Sequence, residues 1–90
     1  MKTNQIGIVH RINLVKTFPN MKVTFNLVTT KEVIHCVVSN NELAQQFLFL
    51  DNGTTEIACF GFVNHHNQLD IQKMTIRNPT SYILTFAMKV

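Results

Sequence analysis

Residues Glu32–Val63 read EVIHCVVSNNELAQQFLFLDNGTTEIACFGFV, three elements in a row. Glu32–Val38 is rich in β-branched residues and predicts a strand. Ser39, Asn40 and Asn41 then offer side-chain oxygens to open a helix. Leu43, Ala44, Phe47 and Leu50 follow at helical spacing, one apolar stripe on a short helix over Asn41–Leu50. Asp51, Asn52 and Gly53 end it, with Gly53 suited to a left-handed cap. Thr54–Val63 alternates with period two. Ile57, Cys59, Gly61 and Val63 share one face, and Glu56, Ala58, Phe60 and Phe62 share the other.

Upstream lie two more strands. In the first, Ile6, Ile8, Ile12 and Leu14 fall on one side and Val9, Arg11 and Asn13 on the other. Thr17-Phe18-Pro19-Asn20 is a turn, since Pro19 fixes its own backbone and Asn20 tolerates left-handed geometry. Met21–Thr29 alternates again, Val23, Phe25 and Leu27 inward, Lys22, Thr24 and Asn26 outward, and Lys31 marks a tight turn. Downstream, Asn64-His65-His66-Asn67 is a polar loop. Leu69–Arg77 is a fifth strand whose alternation slips near Lys73–Met74, predicting a bulge. Asn78-Pro79-Thr80 turns the chain into a last apolar segment, Ser81–Val90. Three strands, a helix and two strands is the order of the OB-fold, a five-stranded Greek-key barrel with its helix between strands 3 and 4, here with a C-terminal extra strand. A doubly wound sheet needs a helix after nearly every strand and is excluded. The runner-up is an open α+β sheet with a two-stranded C-terminal hairpin. The 90 residues are one domain, with a core over about 4–77 and the extra strand over 81–90.

At 46% hydrophobic and 14% charged residues the chain is not disordered. No stretch reaches the roughly 20 apolar residues of a membrane span, so no membrane partner is expected. MKTNQIGIVHRINLV does not read as a secretory signal, which points to a cytoplasmic protein. The net charge of +3 is blocked along the chain. Lys2, Arg11, Lys16, Lys22 and Lys31 come before any acidic residue. Glu32, Glu42, Asp51, Glu56 and Asp70 follow with no Lys or Arg among them, and Lys73, Arg77 and Lys89 close the chain. Such blocks predict one basic and one acidic face; the bland alternative is chance in thirteen charges.

Several segments resemble bacterial single-stranded DNA-binding proteins. Phe25-Asn26-Leu27-Val28-Thr29 resembles the F-x-L-A-T end of their second strand. His35-Cys36-Val37-Val38-Ser39-Asn40-Asn41-Glu42-Leu43-Ala44 resembles their third strand and helix entry, an H-x-V-V run followed by K-L-A. Ile57-Ala58-Cys59-Phe60-Gly61-Phe62-Val63 resembles their fourth strand, V-x-V-x-G-x-L. The resemblance covers roughly 4–77 and implies the OB-fold and single-stranded DNA binding in replication, recombination or repair. His10 stands where the family tends to have Gly. The chain has no Trp, its loops are short, and it ends apolar and basic where the family carries an acidic recruiting tail. It is closer to a shortened relative of the sort found in primosomes, phages or mobile genetic elements. A replication helicase, primase or polymerase is then an implied partner.

Binding a single strand needs cations along the phosphates and flat surfaces for the bases. Arg11 and Lys22 share the outer face of strands one and two with Asn13, Thr24 and Asn26. Lys16 and Phe18 lie in the connecting loop, and Lys31 lies in the next turn. Lys73 and Arg77 share a side of strand five. Since strands 1, 2, 3 and 5 of an OB barrel are successive neighbours, these groups are expected to converge, with the acidic helix and strand four behind. The bland reading is that they only solubilise the surface. His35 falls on the binding face or at a subunit contact. Phe60, Phe62 and Tyr82 are stacking or interface candidates, with burial under a neighbour as the alternative for the Phe pair. His65 and His66 can add hydrogen bonds in the loop between strands 4 and 5.

No carboxylate or cysteine stands at metal-ligand spacing around the histidines, so no metal or cofactor is expected. There is no G-x-S-x-G, phosphate-cradling loop or H-E-x-x-H, and the five carboxylates are scattered, so no catalytic residue is assigned and an enzyme is not expected. Cys36 and Cys59 read as small buried residues. A competing function is a protein-interaction OB module, with Phe60, Phe62 and the last segment as its surface. An RNA-binding OB domain is a third. A homodimer is expected, because the last segment needs covering.

Overall fold

The computed structural model describes residues 2–77. Five strands, β1 (Lys2–Lys16), β2 (Lys22–Val28), β3 (Val33–Val38), β4 (Glu56–Val63) and β5 (Leu69–Ile76), and one helix, α1 (Asn41–Phe47), form the element order expected. The strands close into a barrel in the order β1-β2-β3-β5-β4. Neighbours are antiparallel except β3 and β5, which run parallel and pair only at Cys36–Leu69 and Val37–Asp70. This is an OB-like barrel with its helix between β3 and β4. The Asn78-Pro79-Thr80 turn, Tyr82 and the Ser81–Val90 strand fall outside the described residues.

β1 departs from its expected faces. Ile6 is 49% exposed, whereas Val9, expected outside, is fully buried. The cause is a bulge. His10 pairs with Asn26 and Asn13 with Thr24, so β1 carries one residue more than β2 in between. Arg11 sits there at φ 55. One extra residue inverts the parity of everything on its far side. Gly7 and Val9 therefore point inward before the bulge, and Ile12 packs against the core after it. The loop after α1 holds the bulge in place. Ile12 N donates to Asn52 Oδ1 at 2.9 Å, Gly53 N donates to the Val9 carbonyl at 2.7 Å, and Val9 N donates to the Thr55 carbonyl at 3.0 Å. Gly53 takes the left-handed φ of 83 expected of it.

β2 keeps its alternation, with Val23, Phe25 and Leu27 buried. Asn40 caps α1 by accepting from Leu43 N at 3.1 Å. The regular helix stops at Phe47 rather than Leu50, and β4 begins at Glu56 rather than Thr54. Ala44, Phe47 and Leu50 are still buried as the stripe requires, and Phe47 stacks on Phe25 with ring centroids 4.5 Å apart. The slip in β5 lies between Ile71, opposite Gly61, and Lys73, opposite Phe60, one residue before the expected place. Gly61 serves this crowding: a Cβ there would sit on the Asp70 carbonyl.

Cys36 and Cys59 are free thiols inside the barrel. Burial pushes the Cys59 thiol up to about 11. Cys36 is pushed higher still, by burial first and then by Cys59, although β5 separates their strands.

Candidate nucleic-acid interface

The outer faces of β1, β2 and β3 line up in rows fixed by register. His10, Asn26 and His35 form one row, and Asn13, Thr24 and Val37 the next. Lys16 lies opposite Lys22 at the end of the β1–β2 ladder. Between the first two rows runs an open groove of about 350 Å³, lined by Arg11, Asn13, Thr24, Asn26, His35 and Gln68 above the buried Phe25 and Cys36. The bulge supplies Arg11, and strand alternation supplies Thr24 and Asn26. Asn26 Oδ1 lies 2.8 Å from His35 Nδ1. A carbonyl oxygen only accepts, so the ring nitrogen donates and the imidazole is oriented by the bond.

Like charges directly opposite across two strands repel, and Lys16 and Lys22 are so placed beside a second depression shared with Ser39 and Asn41. Asn41 pins the neighbouring β1–β2 loop. Its Nδ2 donates to the Pro19 carbonyl at 2.6 Å, and its Oδ1 accepts from Met21 N at 2.9 Å. That loop carries Phe18, 70% exposed, ahead of a cis bond to Pro19. Lys31 is exposed in the β2–β3 turn, at the other end of β2, which spans about 24 Å. Among the described residues, Arg11, Lys16, Lys22 and Lys31 have no carboxylate within ion-pair distance.

Lys73 and Arg77 do not join this face. β5 leaves β3 after Asp70 and continues against β4 alone, so Lys73 lies opposite Phe60 and near Ile6 and Ala58. Arg77 Nε lies 3.3 Å from Glu56 Oε1, and its backbone N–H donates to the Glu56 carbonyl at 2.8 Å. The convergence expected of strand five fails because the β3–β5 ladder is two residues long. Asp70, unlike either cation, lies on the part of β5 that pairs with β3, opposite Val37. Phe60 and Phe62 stand on the outer face of β4, edge to face at 6.1 Å, with Phe62 38% exposed and Lys2 Nζ 5.5 Å from its ring centre. His65 and His66 are exposed in the β4–β5 loop and do not line the groove. Tyr82 lies outside the described residues.

Two groups stand outside the candidates that the sequence singles out. Gln68 reaches the groove only because β3 and β5 pair, which no local pattern announces. Phe49, 61% exposed, falls outside the apolar stripe of α1 and was legible from that alone. Among the described residues no group of His, Cys, Asp or Glu is arranged to hold a metal ion, and no helix is long and apolar enough to cross a membrane. The chain matches no protein-family model and no curated protein.

Proposed function

We propose that this chain binds single-stranded DNA, with little overall sequence selectivity, by electrostatic capture along the outer face of β1 and β2. The observation that carries the reading is the run of Arg11, Lys16 and Lys22, without carboxylate partners among the described residues, beside a groove lined by amides and His35. Phosphates take the cations and bases take the groove and Phe18; stacking adds about 1–3 kcal/mol per base. Service in replication, recombination or repair, for a phage or mobile element and beside a helicase, primase or polymerase, rests on the sequence resemblance alone. A homodimer belongs to the proposal, because Lys2–Gly7 pairs with β4 and has no second partner among the described strands.

Fluorescence polarisation with labelled oligo-dT at several salt concentrations is the test. Log affinity should fall linearly with log salt, with a slope near −0.7 per neutralised phosphate, or about −2 for three cations. Absence of binding at low salt removes the reading. Competition by RNA of equal length decides DNA against RNA. A second reading, a protein-interaction module, is favoured by the half-buried Phe60 and the exposed Phe62 beside Ile6, and it predicts no strand binding at all.

A further inference from the structure

Resting on the single-strand reading, we propose that one position of the groove selects guanine. Among the described residues lining it, the aromatic ring of Phe25 is buried, so His35 alone offers a plane at the surface. A base seated there is held chiefly by its edge. Two of the groove's acceptors have partners: Asn26 Oδ1 lies 2.8 Å from His35 Nδ1, and Gln68 Oε1 accepts from Asn64 Nδ2 at 3.4 Å. A ligand meets the amide NH2 groups of Asn26 and Gln68, the hydroxyl of Thr24, the second ring nitrogen of His35, both kinds of atom on Asn13, and the fork of N–H donors on Arg11.

The Arg11 fork presents several N–H donors and no acceptor, so it selects an edge with adjacent acceptors. Guanine O6 and N7 are such a pair, and the arginine fork matches them in bidentate fashion. Adenine sets a donor beside N7, and thymine has a methyl group beside O4. Arg11 is also held by backbone rather than by a loose loop. It occupies the bulge at φ 55, with the next amide bonded to Asn52 and the preceding residues tied to Gly53 and Thr55. A fixed backbone leaves only the side chain to be ordered on meeting its partner.

The experiment titrates the intact protein with oligo-dT and with the same strand carrying one central guanine, adenine or 7-deazaguanine. The guanine strand should bind about tenfold tighter, and the adenine and 7-deazaguanine strands should stay within about twofold of oligo-dT. In Arg11→Lys, which keeps the charge and loses the fork, the ratio of guanine strand to oligo-dT should fall to near one. Equal affinity of the wild type for all four strands overturns the guanine subsite and leaves the single-strand reading standing. A preference that survives Arg11→Lys, or survives 7-deazaguanine, overturns the assignment to this groove. No binding of any strand overturns both.

Discussion

The outer face of β1–β2–β3 and the outer face of β1–β4–β5 belong to one barrel and differ in almost every property. The first carries Arg11, Lys16 and Lys22, without carboxylate partners among the described residues, and a polar groove. The second carries Ile6, Phe60 and Phe62, and its Arg77 is paired with Glu56. Among the described residues both faces hold cations without an ion-pair partner, Lys2 and Lys73 on the second, yet only the first sets its cations beside a polar groove. Charge counted along a sequence therefore overstates the basic surface wherever a strand partner brings a carboxylate alongside.

Charge reversal on the first face carries the largest expected effect. Arg11→Glu combined with Lys22→Glu should weaken oligo-dT binding about 100-fold or more at low salt and flatten the salt slope by about 1.4, two phosphates' worth. An unaltered titration by the folded double variant would remove the face assignment. The mirror experiment, Lys73→Gln with Arg77→Gln, should change affinity less than about threefold, because each exposed charge there acts weakly through solvent. An effect as large as that of the first pair would erase the distinction between the faces.

Both faces stand on one core, and pH reads it. An unfolded cysteine ionises near 9.0, whereas buried Cys59 keeps its proton to about 11. Between those values the unfolded chain binds fewer protons than the folded one, so stability falls as pH rises from about 9 towards 11. Each unit of separation is worth about 1.4 kcal/mol. Urea midpoints at pH 8 and pH 10 check this, and Cys59→Ala should about halve the dependence, since Cys36 contributes alongside it; a midpoint that does not move refutes it. A smaller effect is expected from Asn41→Ala, which frees the β1–β2 loop and its Phe18 from two hydrogen bonds. It should cost about 1–2 kcal/mol of stability, read by thermal melting, and weaken strand binding less than the charge reversal does.

Much of the fold was legible in the residues. Alternation located β2 and its buried Val23, Phe25 and Leu27, and the polar trio at 39–41 located the start of α1. In the candidate site, Arg11, Asn13, Thr24 and Asn26 were placed outward and are found on the groove. What failed did so for nameable reasons. Ile6 and Ile8 were assigned inward because a period of two was carried through Arg11, where the bulge reverses it. Lys73 and Arg77 were assigned to the binding face because β5 was taken as a full-length neighbour of β3.

Residue order alone settled which segments are strands, where the helix begins and which way β2 faces, since capping and alternation are relations between near neighbours in the chain. Tertiary closure settled the rest: where β1 bulges, how briefly β3 meets β5, and hence which cations share a surface. Those depend on how a twisted sheet shuts upon itself, and that condition binds residues dozens of positions apart.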